Sequence, residues 1–443
     1  MGFISTRLAF VLVICTPVFV ECQTLSLDEA IRTAEANNRT ILAAQLETKK
    51  ALENIFVAQT QRLPVFSVTA LGFRPLARLG LTLEKASLGT YPVVGPIPGT
   101  ATTLKNSVGP AGIFFTNVAE PLTQHYKIGL GIQLARADAS ATNEQVRSAR
   151  QSVANEVRKL YYGILESESG KKSLQANVEF LRRLDHDTGQ DVLQRVALKS
   201  DALRVEAQLA QAEYDVLRVE DPLQTQKQQL NRLLGRDVNA VFEVDPLSAA
   251  NFDLPDLKEA CAKALDSRPE VRLAKLELQK AGLARRIANA DRIPDVSLTA
   301  TALSTVNLGG ALPSNLSGVG LQMNWDVLDW GRKRKQVDER RQSEEQASLQ
   351  LKDVEAQVII DVSHRYRQLI EARKELEVAA TLQSAAREVL RVTSNQFEQQ
   401  QVLVSDVLKA QSGLAESDHR FTRSLLHLAS SEADFAKAIG EDQ

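Results

Sequence analysis

The sequence predicts a mainly α-helical, internally duplicated protein with long coiled helices and a smaller β part of four strands per chain. Three observations carry this reading. One order of helix starts, strands and returning helices is written twice. The helical stretches are far longer than those of ordinary domains. The strands have one apolar face and one small polar face, with little helix left over to cover them. Composition agrees. Lys plus Arg number 53 against 55 Asp plus Glu, a net charge of −2, so no basic excess exists to hold a nucleic acid. A hydrophobic fraction of 44% supports a large core, while 5% aromatics, 22 Gly and 14 Pro argue against an all-β sandwich. Three cysteines cannot build a disulfide scaffold. No apolar run of 18 residues follows the N-terminus, so a membrane role must use something other than a transmembrane helix.

Residues 1–22 read as an export signal. Arg7 supplies the positive charge, Leu8 to Val20 is apolar, and polar Glu21-Cys22-Gln23 follows. Cleavage after Cys22 would leave Gln23 as the mature start. The rival route keeps Cys22 as a lipidated N-terminus, but that processing wants a small residue where Glu21 stands.

The duplication has two gap-free blocks. Leu27-Asp28-Glu29-Ala30 returns as Leu257-Lys258-Glu259-Ala260, an offset of 230 that holds as far as Thr69-Ala70 and Thr299-Ala300. From Phe114 onward the offset is 205, pairing Tyr161 with Tyr366, Ser200-Asp201 with Ser405-Asp406, and Gly235 with Gly440. One insertion of 25 residues, between about Phe73 and Gly112, accounts for the difference. The competing likeness of Gly129-Leu130-Gly131 to Gly318-Val319-Gly320 needs a second, compensating gap and is set aside. The organisation is therefore a signal at 1–22, a first repeat at 23–237, a linker at 238–253 and a second repeat at 254–443.

Each repeat opens with a helix whose start has the spacing of a capping box, Ser26 with Glu29 and Asp256 with Glu259. Breaks are expected at Asn37-Asn38 and Arg268-Pro269, and Pro64 and Pro294 end these helices. Alternation of period two follows: Phe66, Val68 and Ala70 against Ser67 and Thr69, then Val296, Leu298 and Ala300 against Ser297, Thr299 and Thr301. Loops at Tyr91 to Gly99 and Gly309 to Gly318 lead to second strands, the later one alternating from Val319 to Val327. Long helices run from about Gln124 to Gln190 and Gly331 to Gln396, each on the order of 100 Å if unbroken. Returning helices start near Ser200 and Ser405. They carry heptads, Val205, Leu209, Ala212 and Val216 in one, and Val407, Ala410, Leu414 and Ser417 in the other. Pro222 should kink the first of them.

Strands of about ten residues with one apolar and one Gly/Ser/Thr/Asn face suit a membrane barrel wall, and Trp325 and Trp330 suit its interfacial girdle. Four strands cannot close a barrel, so the barrel must be shared, eight strands from two chains or twelve from three.

With these features in place the chain resembles the TolC-like outer-membrane efflux proteins. The resemblance rests on the duplicated Leu-x-x-Ala helix starts, Arg62-Leu63-Pro64 and Arg292-Ile293-Pro294 before the strands, and the two Ser-Asp-x-Leu starts of the returning helices. It implies a homotrimer in the cell outer membrane, with a shared 12-stranded barrel, a 12-helix periplasmic tunnel and the linker in its equatorial region. It also implies a periplasmic adaptor protein and an inner-membrane transporter as partners, outer-membrane lipid around the barrel, and outward transport with no cofactor.

The family's tip motif is an aromatic, two residues, Gly, then five residues to an Asp. Phe397, Asp201 and Asp406 match it, Val192 replaces one aromatic, and Arg195 and Gln400 replace the glycines, which predicts a relaxed turn. Asp201 and Asp406 are the expected pore constriction, with Arg204 and Lys409 standing where some relatives carry a second acid. Val196, Ala197, Leu198, Val402, Leu403 and Val404 are the expected adaptor-docking surface. The two aspartates also suit helix N-termini on dipole grounds alone.

Enzymatic readings lack a site: no GxSxG, P-loop or CxxC occurs, and Asp185-His186-Asp187 does not share one helical face. His419 and His427 are expected to pack at the heptad seam. Arg332-Lys333-Arg334-Lys335 falls at the expected membrane junction, as a solvated helix start or as a contact for lipid phosphate. The other class that fits is a periplasmic coiled-coil scaffold without a pore.

Overall fold

The computed structural model describes residues 23–74, 76, 80–105, 109–195, 198–246, 255–307, 314–399 and 401–441; the export signal lies outside the described residues. The first half runs β1 (Gln23–Leu25), α1 (Leu27–Asn37), α2 (Arg39–Thr60), β2 (Val65–Phe73), β3 (Gly80–Leu83), β4 (Thr90–Tyr91), β5 (Gly95–Pro96), β6 (Thr102–Lys105), β7 (Ala111–Pro121), α3 (His125–Leu193) and α4 (Lys199–Leu233). The second runs β8 (Phe242–Val244), α5 (Leu257–Ser267), α6 (Pro269–Ala290), β9 (Asp295–Val306), β10 (Asn315–Asn324), α7 (Arg332–Glu398) and α8 (Val404–Ala438).

The helix breaks fall where the sequence places them, and each half holds its break by different chemistry. Asn38 is extended, its Oδ1 accepts the Thr40 N–H at 2.9 Å, and its Nδ2 donates to the Leu233 carbonyl at 2.9 Å. The Asn thus caps α2 and ties down the end of α4. At the other break Arg268 is forced extended by Pro269, which suits the first turn of α6. There Arg147 donates to the Ser267 and Gly440 carbonyls at 2.6 and 3.1 Å. Gly235 and Gly440, partners in the repeat, end the two returning helices with φ +69° and +78°. A Cβ on Gly235 would sit 2.5 Å from the Asn37 carbonyl oxygen, and one on Gly440 2.5 Å from the Ser267 Oγ.

The 69 residues of α3 make a rod on the order of 100 Å. α4 folds back along α3, and α8 along α7. The heptads face inward at Val205, Ala212, Leu223 and Leu230, and at Val407, Ala410, Ser424 and Phe435, all buried. Pro222 lies inside α4 without ending it. α3 also packs on α6 and α8, which joins the halves. Asp434 is the polar hinge of that joint. It accepts from Asn155 at 2.9 Å and Arg365 at 3.0 Å, with Lys159 at 3.3 Å.

The segment 238–253 is more than a linker, because its β8 pairs in parallel with β1. Phe242 is fully buried beside Tyr161, whose hydroxyl lies 2.8 Å from the Leu25 carbonyl and 3.0 Å from that of Asp245. Burial pushes the Tyr161 hydroxyl up to about 12.

β10, β9, β7 and β2 form one antiparallel sheet in that order. β10 starts earlier than its apolar alternation suggests, because Asn315 and Ser317 still pair with Ser304 and Ala302. The 25-residue insertion is not plain loop: β3 pairs with β6, and β4 with β5 inside them. Gly129-Leu130-Gly131 is helical in α3 whereas Gly318-Val319-Gly320 is strand in β10, so the rejected alignment would have matched unlike structures.

Candidate functional site: strand wall and helical tip

At the helix-proximal end of the sheet the register turns alternation along single strands into two faces. Farther out they mix, with Phe115, Leu303 and Leu316 on the face of Ser67, and Thr116 and Ser317 on the face of Phe66. Phe66 pairs with Val118, Val118 with Ala300, and Ala300 with Val319, so one face is apolar across all four strands. Leu298 beside Leu321, and Val296 beside Met323, extend it. The other face carries Ser67, Asn117, Thr301 and Gly318 in one row, with Thr299 and Gly320 in the next. Among the described residues no helix covers the apolar face, and Leu321 is 71% exposed and Phe66 67%. Both outer strands, β2 and β10, leave their far edges unpaired among the described residues. A sheet with two open edges and a bare apolar face is incomplete in water.

Where β10 meets α7 the chain turns sharply. Asp329 accepts the Gly331 and Lys333 N–H groups, both at 3.0 Å, and so caps α7. Trp330 holds φ +50°, a costly backbone for a bulky residue, and stands 88% exposed; Trp325 is also exposed. The basic run is partly neutralised, because Asp326 lies 3.0 Å from Arg332 and 3.4 Å from Lys333.

At the opposite end the α3–α4 and α7–α8 turns meet. Leu184, Val205 and Val404 form a buried cluster, with Phe180, Phe397 and Leu408 against it. Val404, expected on the docking surface, therefore faces inward at 8% exposure, because the two turns bury it between them. Leu198 and Leu403 are 69% and 70% exposed and Val402 is half-buried; Val196, Ala197 and Gln400 lie outside the described residues.

The turn at Arg195 is not relaxed. Arg195 takes the left-handed φ of +61° that glycine would favour, and its N–H reaches the Val192 carbonyl at 3.1 Å. Asp201 lies three residues from Arg204, with a loose 3.9 Å ion pair between them. Asp406 turns its carboxylate back on its own helix start, accepting the Leu403 N–H at 3.3 Å. Lys409 is exposed. Geometry at the tip thus shows helix-starting aspartates, one of them leaning on a cation.

His419 and His427 do not pack at the seam as expected. Both are exposed, and His427 Nδ1 meets Glu375 at 3.0 Å instead, since α8 turns its small heptad residues inward. Sequence reasoning missed the Asp434 joint and Arg158, a buried cation among Ala154, Val157 and Tyr161 on α3. The signal for Arg158 was a charge inside an apolar helical stripe.

Residues 260–441 match the family model for outer membrane efflux proteins. An uncharacterized protein of Haemophilus influenzae is 23% identical over 235 residues, half of each chain, so the match spans about half the length of that relative. Among solved structures, the CmeC outer membrane channel of Campylobacter jejuni aligns with a TM-score of 0.76 at 14% identity, over 94% of this chain and 85% of that one. The outer membrane protein VceC of Vibrio cholerae gives 0.75 at 15%, over 94% and 96%. The MtrE outer membrane channel of Neisseria gonorrhoeae gives 0.71 at 16%, over 94% and 88%. At such identities the likeness establishes the fold, a mainly helical one shared with outer-membrane channels.

Proposed function

We propose that the chain is a trimeric exit duct of the outer membrane, a reading supported by the match of residues 260–441 to the family model for outer membrane efflux proteins. One observation carries the reading: the four-stranded sheet has two open edges and one uncovered apolar face. Three such sheets joined edge to edge make a wall of twelve strands with no free edge, its helix-proximal rows apolar toward lipid and small and polar toward the lumen. The helices follow the same logic. Exposed Leu203, Tyr214 and Leu217 on α4, and Val378, Leu382 and Val389 on α7, are apolar stripes without a partner in one chain. Neighbouring protomers supply it, and the helices form a twelve-helix periplasmic tunnel. Trp325 and Trp330 mark the periplasmic membrane interface.

In this arrangement the tip is the constriction. Asp201 and Asp406 ring the axis, Arg204 and Lys409 weaken their field, and the exposed turn residues Leu198 and Leu403, with half-buried Val402, meet a periplasmic adaptor linked to an inner-membrane transporter. The chain is a passive duct and performs no covalent step.

Mass measurement in mild detergent should give three chains, and the same preparation should show discrete conductance steps in a planar bilayer. A stable monomer that stays soluble without detergent and never conducts would overturn the reading in favour of a periplasmic scaffold.

A further inference from the structure

A cavity of about 510 Å³ opens between α1, α3 and the C-terminal end of α8. Arg147, Arg150, Arg158 and Lys437 line it, together with Glu35, Glu144 and Glu441. Much of that charge is already used. Arg147 donates to two backbone carbonyls, Glu144 lies 3.7 Å from both Arg147 and Arg272, and Glu441 accepts from Lys263 at 2.5 Å. Among the described residues Lys437 reaches the Ser152 hydroxyl, at 3.5 Å. Among the described residues Arg150 and Arg158 make no hydrogen bond and no ion pair, although Arg158 is only 9% exposed. Glu35 faces the cavity, but no ion pair joins it to Arg158.

A guanidinium stays charged in proteins, and a desolvated charge without a partner is costly. Arg158 cannot swing to bulk water easily, because Val157 and Tyr161 anchor its turn of α3 in the core. Burial pushes both Arg158 and Lys437 downward, against the opposing pull of Asp28 and Glu35 on the one and of Glu270 and Asp434 on the other. Arg147, Arg150, Ala154 and Arg158 recur at helical spacing, so one face of α3 presents the cations together. We propose that this cavity is an oxyanion site, in which Arg150, Arg158 and Lys437 hold the carboxylate or phosphate group of a small ligand. The planar fork of each arginine suits two oxygens of one such group. Val146 and Ala154 on the lining, and a volume within the range of small-molecule pockets, leave room for an organic remainder. The site does not depend on the channel reading, because nothing in it uses the sheet or the tip.

The test is calorimetric titration of the full chain in mild detergent at low salt, with inorganic phosphate and, separately, with succinate. Saturable binding of at least one probe is expected, weakened at least about tenfold by Arg158→Gln and by the double variant Arg150→Gln with Lys437→Gln. Lys374→Gln, on an exposed residue of α7 beside Glu377 and away from the cavity lining, should bind as the parent does. The double variant alters the more accessible cations, so it carries the test if Arg158→Gln fails to fold. Thermal melting gives a second readout: the bound probe should raise it in the parent and not in the variants. Absence of saturable binding by either probe up to on the order of 10 mM, or equal binding in parent and double variant, would overturn the proposal. Which probe binds more tightly tells phosphate from carboxylate.

Discussion

Arg195 holds a backbone that an L side chain adopts only at a cost of about 1–2 kcal/mol. Arg195→Gly should therefore stabilise the tip by about 1 kcal/mol, less the chain entropy that glycine adds in the unfolded state. Thermal unfolding followed by circular dichroism would read it. Gly235→Ala and Gly440→Ala should do the reverse. Each adds left-handed strain and a Cβ 2.5 Å from a neighbouring oxygen, so a loss of about 2 kcal/mol or more is expected for either. The sequence already pairs these two glycines, but it cannot say what they touch. Their neighbours, Asn37 and Ser267, are about 200 and 170 positions away along the chain. Tyr161 makes a pH test. Its hydroxyl is raised above its unfolded value, so its contribution is intact below pH 10 and is lost as pH rises through about 12. The parent should lose melting temperature steeply over that window, and Tyr161→Phe, already lower for want of the hydroxyl's shared hydrogen bond to the two carbonyls, should lose less.

Among the elements, those with strong periodicity were the legible ones. α3, α7 and the returning helices lie within a few residues of where apolar spacing puts them, because a heptad extending over five turns leaves little choice of register. The paired breaks were legible for a different reason: asparagine and an Arg-Pro step are local signals that need no tertiary partner. The insertion was not. Its small ladders, β3 with β6 and β4 with β5, are short, and the inner one joins residues of low strand preference such as Gly95 and Pro96. β8 escaped notice likewise, since three residues have no period to read. The insertion stands outside the four-stranded sheet, so replacing Gly89 to Thr102 by a short Gly-Ser turn should leave the oligomer mass unchanged. Loss of assembly in that variant would mean that the ladders brace the wall.

For the whole molecule, the proposed ring of aspartates at the tip predicts a modest cation preference, reduced on one side by Arg204 near Asp201. Asp201→Asn combined with Asp406→Asn should lower cation selectivity in single-channel recordings at low salt, where screening is least. Unchanged selectivity and conductance would leave both residues as helix starts alone. That placement around an axis was beyond the reach of the sequence, since one chain contains only a third of the proposed ring. The bare edges of β2 and β10 have a consequence for how such a molecule is made. In the proposed duct a single chain could not enter a bilayer by itself, because lipid would face unpaired backbone along two strands. Insertion and association are then one event, and its rate must climb steeply with the number of chains present. Refolding into vesicles from dilute denaturant should accordingly slow far more than in proportion as the chain is diluted, with partly joined pairs never accumulating in the membrane.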